Sequence, residues 1–182
     1  VCKTVADPFV GKMSYLKVLA GTLTPDTTVV NAKTGAEEKI GKLYTLLGKK
    51  QTEVKTASAG DIVAAVKISA NTGDTLCAAA RVASAEMPEF PHACYSMAVR
   101  AKAQGDESKI SAGMQRLTEE DPTLTYEQDP QTKEMILSGL GEQHLEIAVA
   151  KLKAKFGVDV LMSEPQVAYR ETIRKKVEAE GK

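Results

Sequence analysis

The sequence predicts a multidomain α+β protein in which a small β-barrel is followed by a β-α-β-β-α-β unit. Three observations carry this expectation. Residues 1–86 alternate apolar and polar side chains with a period of two, punctuated by regular turn signals. Two prolines three apart, in Met87-Pro88-Glu89-Phe90-Pro91, then stiffen the chain. Beyond them, two stretches switch to the helical period, each flanked by short alternating runs.

In the first unit, Val1-Cys2-Lys3-Thr4-Val5 already reads as strand, so the sequence is expected to continue N-terminally. Leu16, Val18 and Ala20 alternate with Tyr15, Lys17 and Leu19. Ile62, Ala64, Val66 and Ile68 alternate with Val63, Ala65 and Lys67. Turn signals fall at Asp7-Pro8, Thr24-Pro25-Asp26, Thr34-Gly35, Gly60-Asp61 and Gly73-Asp74. Short strands with regular turns and no helical pattern imply a closed barrel, which removes exposed edges. A linker over 87–92 separates this unit from the next.

Residues 93–164 change character. Tyr95, Met97, Val99 and Ala101 alternate as a strand. Ile110, Met114 and Leu117 then mark one helix face, with Gly113 beside it. That helix is expected to stop at Asp121-Pro122. Leu124 and Tyr126 give a second strand, and Met135-Ile136-Leu137 a third after the turn at Asp129-Pro130. Leu145, Ala148, Val149, Leu152 and Phe156 form the apolar stripe of a second helix. Lys151, Lys153 and Lys155 crowd its C-terminal half and Gly157 ends it. Val158, Val160 and Met162 complete a ferredoxin-like order.

Composition narrows the function classes. No run approaches the length of apolar residues that a membrane span needs, and no signal peptide opens the chain, so a cytoplasmic protein with no membrane partner is expected. A monomer is expected as well. Cys2, Cys77 and Cys94 lie far apart without a Cys-x-x-Cys pair and read as reduced thiols. His92 and His144 are too few for a His-rich metal site. Lys plus Arg equals Asp plus Glu at 24 each. Residues 1–90 carry 11 basic and 9 acidic side chains, whereas residues 91–165 carry 8 and 12. A protein that holds nucleic acid alone is usually basic, so any RNA contact must be local.

The motifs point away from catalysis. Gly139-Leu140-Gly141-Glu142-Gln143-His144 fails as a dinucleotide fingerprint because His144 occupies the third glycine position. No Gly-x-x-x-x-Gly-Lys-Ser/Thr phosphate loop occurs. No catalytic residue, cofactor ligand or metal ligand stands out. Glu119, Glu120 and Asp121 read as a solvated helix end. His144, Lys151 and Lys155 fall on one helix flank, which reads as solvated charge or as a contact strip for phosphate or a partner.

Several stretches resemble elongation factor G over essentially the whole chain. VADPFVGKMSYLKVLAGTL (5–23), AGDIVAAVKI (59–68) and TGDTLC (72–77) look like the translation-factor barrel that forms the second domain of translational GTPases. LTEEDPTL (117–124) and ILSGLGEQHLEIAV (136–149) are similar to the third domain, and SEPQVAYRETI (163–173) to the entry of the fourth, over 165–182. The resemblance implies a ribosome-docking and interdomain-coupling piece of a translocase that moves tRNA and mRNA and helps recycle ribosomes. Its partners would be small-subunit rRNA and protein, and a GTPase domain in cis that precedes Val1 and holds GTP and Mg. This piece itself would bind no cofactor and would not be an enzyme. His144, Lys151 and Lys155 become candidate ribosome or interdomain contacts. Asp121, Thr123, Gly141, Gln143 and His144 become candidate positions of the family's fusidic acid pocket.

Three residues depart from the family pattern. Lys17 stands where Arg is usual, Asp26 where a turn glycine is common, and Gln143 where Leu is usual. Gln143 points to a diverged paralogue or a ribosome protection protein as the alternative. A stand-alone RNA-binding module on the same fold would need aromatic residues on its open sheet, and the chain has 5 Tyr, 3 Phe and no Trp. A small enzyme on this fold lacks a site.

Overall fold

A computed structural model describes all residues except 8–10, 49, 173, 177, 180 and 182. The Pro8 side of the expected Asp7-Pro8 turn, and four positions of the expected fourth-domain entry, therefore lie outside the described residues.

The first unit is all-β: β1 (Lys3–Asp7), β2 (Gly11–Lys17), β3 (Thr22–Leu23), β4 (Thr28–Asn31), β5 (Glu37–Lys39), β6 (Leu43–Leu47), β7 (Lys50–Val54), β8 (Ala57–Ser58), β9 (Ile62–Val66) and β10 (Leu76–Cys77). They form three antiparallel sheets, ordered β1-β2-β9-β6-β7, β10-β4-β5 and β3-β8. Leu16, Val29, Ile40, Leu43, Val63 and Ala65 pack between them. Among the described residues the ladder does not close, which corrects the expectation of a closed barrel. The strands are too short, and the turns too sharp, for one continuous ladder. Left-handed residues at Asp26 (φ 62), Gly35 (φ 71), Gly60 (φ 100) and Gly73 (φ 95) end the ladders and turn the chain. The sheets therefore enclose the core without being hydrogen-bonded around it.

Two sequence features acquire a reason. Val63 and Ala65 face the core, and so does Ile68, although strict alternation puts them on opposite faces. Lys67, at φ 61, shifts the phase between them. Asp26 occupies a left-handed position where a glycine would be unstrained. Asp is among the few side chains that tolerate this conformation, and its amide still donates to Ile40 O at 2.8 Å.

Residues 78–94 carry no helix or strand. The second unit follows as β11 (Tyr95–Ala101), α1 (Glu107–Glu120), β12 (Thr125–Gln128), β13 (Met135–Gly139), α2 (Glu142–Phe156) and β14 (Val160–Ser163). The sheet order β12-β13-β11-β14, antiparallel throughout, interleaves two split β-α-β crossovers and is ferredoxin-like. Both helices lie on one face. Ile110, Met114 and Leu117 from α1 meet Leu145, Ala148 and Leu152 from α2 over Val99 and Leu137.

The helices approach closely at Gly113. A Cβ there would lie 2.5 Å from Leu152 Cδ1 and 3.2 Å from Phe156 Cδ2, so a side chain would have to displace Leu152 and Phe156. The ends are local decisions. Asp121 leaves the helix in an extended conformation before Pro122, and its N–H still donates to Leu117 O. Gly157 takes the left-handed conformation at φ 69 and donates to Lys153 O.

The opposite face of the sheet is mixed, with Ala98, Ile136 and the exposed Leu161 beside several polar groups. Ser96 and Ser138 share a hydrogen bond of 2.7 Å, Arg100 pairs with Glu134, and Gln166 N–H donates to Glu134 Oε2 at 2.8 Å. Tyr95 and Tyr126 pack against the helix-side core instead. Base stacking on this sheet thus lacks those two rings.

Leu152 is fully buried, so Leu152→Ala loses transfer energy and leaves a cavity. It should destabilise the chain by about 2–5 kcal/mol in equilibrium urea unfolding. A loss under about 1 kcal/mol would mean that the helix pair collapses onto the vacated space.

Candidate functional site

Pro122 ends α1, and the residues around that stop form a polar cluster. Asp121 Oδ1 accepts from Thr123 N–H at 2.9 Å and from the Thr123 hydroxyl at 2.6 Å. This is the local turn that an Asp two residues before a Thr can make across a proline. Asp121 Oδ2 lies 3.1 Å from His144 Nε2, in the first turn of α2. The other ring nitrogen, Nδ1, accepts from Leu140 N–H at 3.1 Å. A backbone N–H can only donate, so the network assigns the proton to Nε2, which donates to Asp121.

The ring also has a steric seat. A Cβ on Gly139 would lie 2.8 Å from His144 Nδ1 and 2.8 Å from Leu145 Cδ2. Gly139 is therefore needed for close approach, not only for turning from strand to helix. Beside it, Cys94 N–H donates to Gly139 O at 2.9 Å, and the Cys94 thiol donates to Leu140 O at 3.2 Å. The cluster thus staples the end of α1 to the start of α2 and to the segment just before β11.

Burial works to raise the Asp121 carboxyl. The two hydrogen bonds from Thr123 and the one from His144 outweigh it, and hold the group below its ordinary value.

Eleven residues along α2 from His144, Lys155 turns to a different neighbour. Its Nζ lies 2.5 Å from Glu120 Oε1 and donates to Ala6 O at 3.3 Å. The same Glu120 oxygen accepts from Ala6 N–H at 2.5 Å. Ala6 belongs to β1, an edge strand of the barrel sheet, so its peptide is bracketed by an ion pair from the second unit.

The predicted strip is therefore divided. His144 is tied within its own unit and Lys155 is tied across to the barrel, whereas Lys151 is exposed. Of the other predicted positions, Asp121, Thr123 and His144 come together. Gly141 sits at the start of α2 and Gln143 is exposed in its first turn. The reading of Glu119-Glu120-Asp121 as a solvated helix end is corrected: the Glu120 side chain is 12% exposed and Asp121's 33%. The Asp-Pro-Thr order carried a signal for the turn at Asp121. Nothing near Glu120 in sequence signalled Ala6, which lies 114 positions away.

Among the described residues no group of three or more His, Cys, Asp or Glu could hold a metal ion, and no described helix is long and apolar enough to cross a membrane. The site has neither an activated nucleophile nor a nucleotide cradle. What it can do is hold elements in fixed relation.

The Asp121 network has a measurable consequence. A carboxyl whose folded pKa lies below its unfolded value of about 4 contributes stability that is complete above that value and lost as the pH falls through the folded one. Between about pH 5 and pH 2 the wild type should therefore lose more unfolding free energy than Asp121→Asn. Equal losses in urea titrations across that range would sever Asp121 from acid stability.

The geometry agrees with comparisons to known proteins. The family model described as "Elongation factor G domain 2" matches residues 1–79, and that described as "Elongation Factor G, domain III" matches residues 90–164. An "Elongation factor G-like protein" of Thermotoga maritima is 42% identical over 183 aligned positions, covering 100% of this chain and 27% of its own length. An "Elongation factor G" of Thermotoga neapolitana is 43% identical, covering 100% of this chain and 26% of its own. A crystal structure of a Thermus thermophilus protein superposes with a TM-score of 0.78 at 32% identity, over 95% of this chain and 26% of that one. The chain thus spans about a quarter of the length of the relatives it matches. A sheet-built barrel followed by a ferredoxin-like unit, each half matching a successive domain of the same factor, means that the chain belongs to the elongation factor G family and carries its second and third domains.

Proposed function

We propose that this chain is the ribosome-docking and coupling section of a GTP-driven translocase that moves tRNA and mRNA, with a role in ribosome recycling. The observation that carries the reading is the consecutive match of its two halves to the second and third domains of elongation factor G. In this reading the barrel rests on small-subunit rRNA and protein, in the cytoplasm, as part of a monomeric factor. The GTPase domain lies in cis outside the chain, and GTP and Mg bind there. The sequence contains no Gly-x-x-x-x-Gly-Lys-Ser/Thr phosphate loop, and this reading therefore gives the nucleotide to that domain. The chain's contribution is mechanical: Lys155 and Glu120 join the barrel to α1 and α2, while Lys151 offers an exposed cation to an acidic or phosphate partner.

This reading predicts that Lys151→Glu, placed in the full-length parent, slows ribosome-stimulated GTP hydrolysis while leaving GTP affinity unchanged. The chain alone should take up no GTP in calorimetry. Stoichiometric heat from GTP, or a Lys151→Glu factor with full ribosome-stimulated turnover, would count against it.

The cluster of Asp121, Thr123, Gly141, Gln143 and His144 is proposed to border a fusidic acid site. Gln143 is exposed and replaces the Leu usual in the family, so an apolar contact with the drug would be lost there. Gln143→Leu in the full-length factor should lower the drug concentration needed to stall turnover on the ribosome. An unchanged inhibition curve would remove Gln143 from the pocket.

A further inference from the structure

The two units meet where α1 packs along β1. An open groove lined by Asn71 and Thr72 of the barrel and by Gln115, Thr118, Glu119 and Pro122 flanks this contact, so water reaches the seam. Beside that groove, Ala6, Glu120 and Lys155 close a small ring: amide to carboxylate, ammonium to the same carboxylate oxygen, and ammonium to the Ala6 carbonyl. The N–H and the C=O of one edge-strand residue are thereby both used. The ring reads the backbone of β1 and not its side chains, and each member depends on the other two.

We propose that this ring is an interdomain latch, which fixes the barrel against α1 and α2 and opens as a unit when either charge is lost. Charge-assisted hydrogen bonds make the closed state specific. Removal of Lys155 leaves the Glu120 carboxylate, only 12% exposed, without its counter-ion, which favours separation of the units so that water can reach it. Removal of the Glu120 charge weakens the hold on Ala6 N–H and frees the ammonium to solvent. Opening strands no polar group, because separation of the units exposes the Ala6 N–H and C=O, the carboxylate and the ammonium to water together. The latch is thus firm in geometry and light to release. This inference rests on the structure of the chain alone and stands whether or not the ribosome is its partner.

The test uses amide hydrogen exchange and residual dipolar couplings on the whole chain. In the wild type, Ala6 N–H should be protected, and the couplings of both units should fit one alignment tensor. In Lys155→Met and in Glu120→Gln, Ala6 N–H should exchange at least about tenfold faster, as expected for loss of a charge-assisted hydrogen bond. The two units should then need separate tensors, with the fit inside each unit unchanged. Lys155→Arg, which keeps the charge, should retain the single tensor. Should Lys155→Met fail to fold, the near-isosteric Glu120→Gln decides the matter. A protected Ala6 amide with one tensor in the charge-loss variants would overturn the latch, as would two tensors in the wild type.

Discussion

The last turn of α1 carries two consecutive carboxylates that serve different neighbours, and the arrangement of the chain hangs on that divergence. Consecutive helical residues point about 100° apart. Glu120 therefore reaches outward to the barrel edge while Asp121, leaving the helix before Pro122, turns toward α2. A helix ending one residue later would leave Glu120 where it is but turn Asp121 from the extended conformation that faces α2. The phase of the helix thus sets the direction of Glu120, and the proline, by holding the residue before it extended, sets that of Asp121.

α2 is the element that answers both. Its apolar stripe is buried through Leu145, Ala148 and Leu152, which anchors the helix on the sheet. His144 at its start and Lys155 near its end then meet Asp121 and Glu120 respectively. About three turns of one rigid helix separate those contacts, so the two polar tethers cannot shift independently. The close approach at Gly113 supports this, because a larger residue there would have to displace Leu152 and Phe156. Hydrophobic packing supplies most of the stability. The polar contacts add direction to that packing, because their geometry is specific.

Ion pairs elsewhere in the chain behave differently. Lys39–Asp26 and Lys153–Asp159 are formed by side chains mostly open to water, where screening removes much of their attraction. Lys155–Glu120 is shielded by the two units it joins, with side chains 25% and 12% exposed. Glu134, similarly enclosed, draws in Arg100 and the amide of Gln166 on the open sheet face, and so fixes where the chain leaves the second unit. Shielded carboxylates thus mark the places where elements distant in sequence are tied together.

Local rules of the chain determined much of this architecture before any tertiary contact was known. Alternation at Tyr95–Ala101, the stripes of α1 and α2, the stop at Pro122 and the left-handed Gly157 each depend on sterics within a few residues. The family motifs were legible for the same reason, as short strings in order. Closure of the barrel was misread, because ladder continuity depends on the joint path of ten short strands and not on any one alternation. The polar site was misread more deeply. A carboxylate's sequence neighbours do not reveal whether it faces water, and Glu120 finds Ala6 only after both units have folded and met. The tautomer of His144 likewise follows from Leu140 N–H arriving at Nδ1, a position set by the packing of β13 against α2. Apolar periodicity is a property of the segment, whereas polar pairing is a property of the assembled fold, and the joint between these two units is built from the second kind.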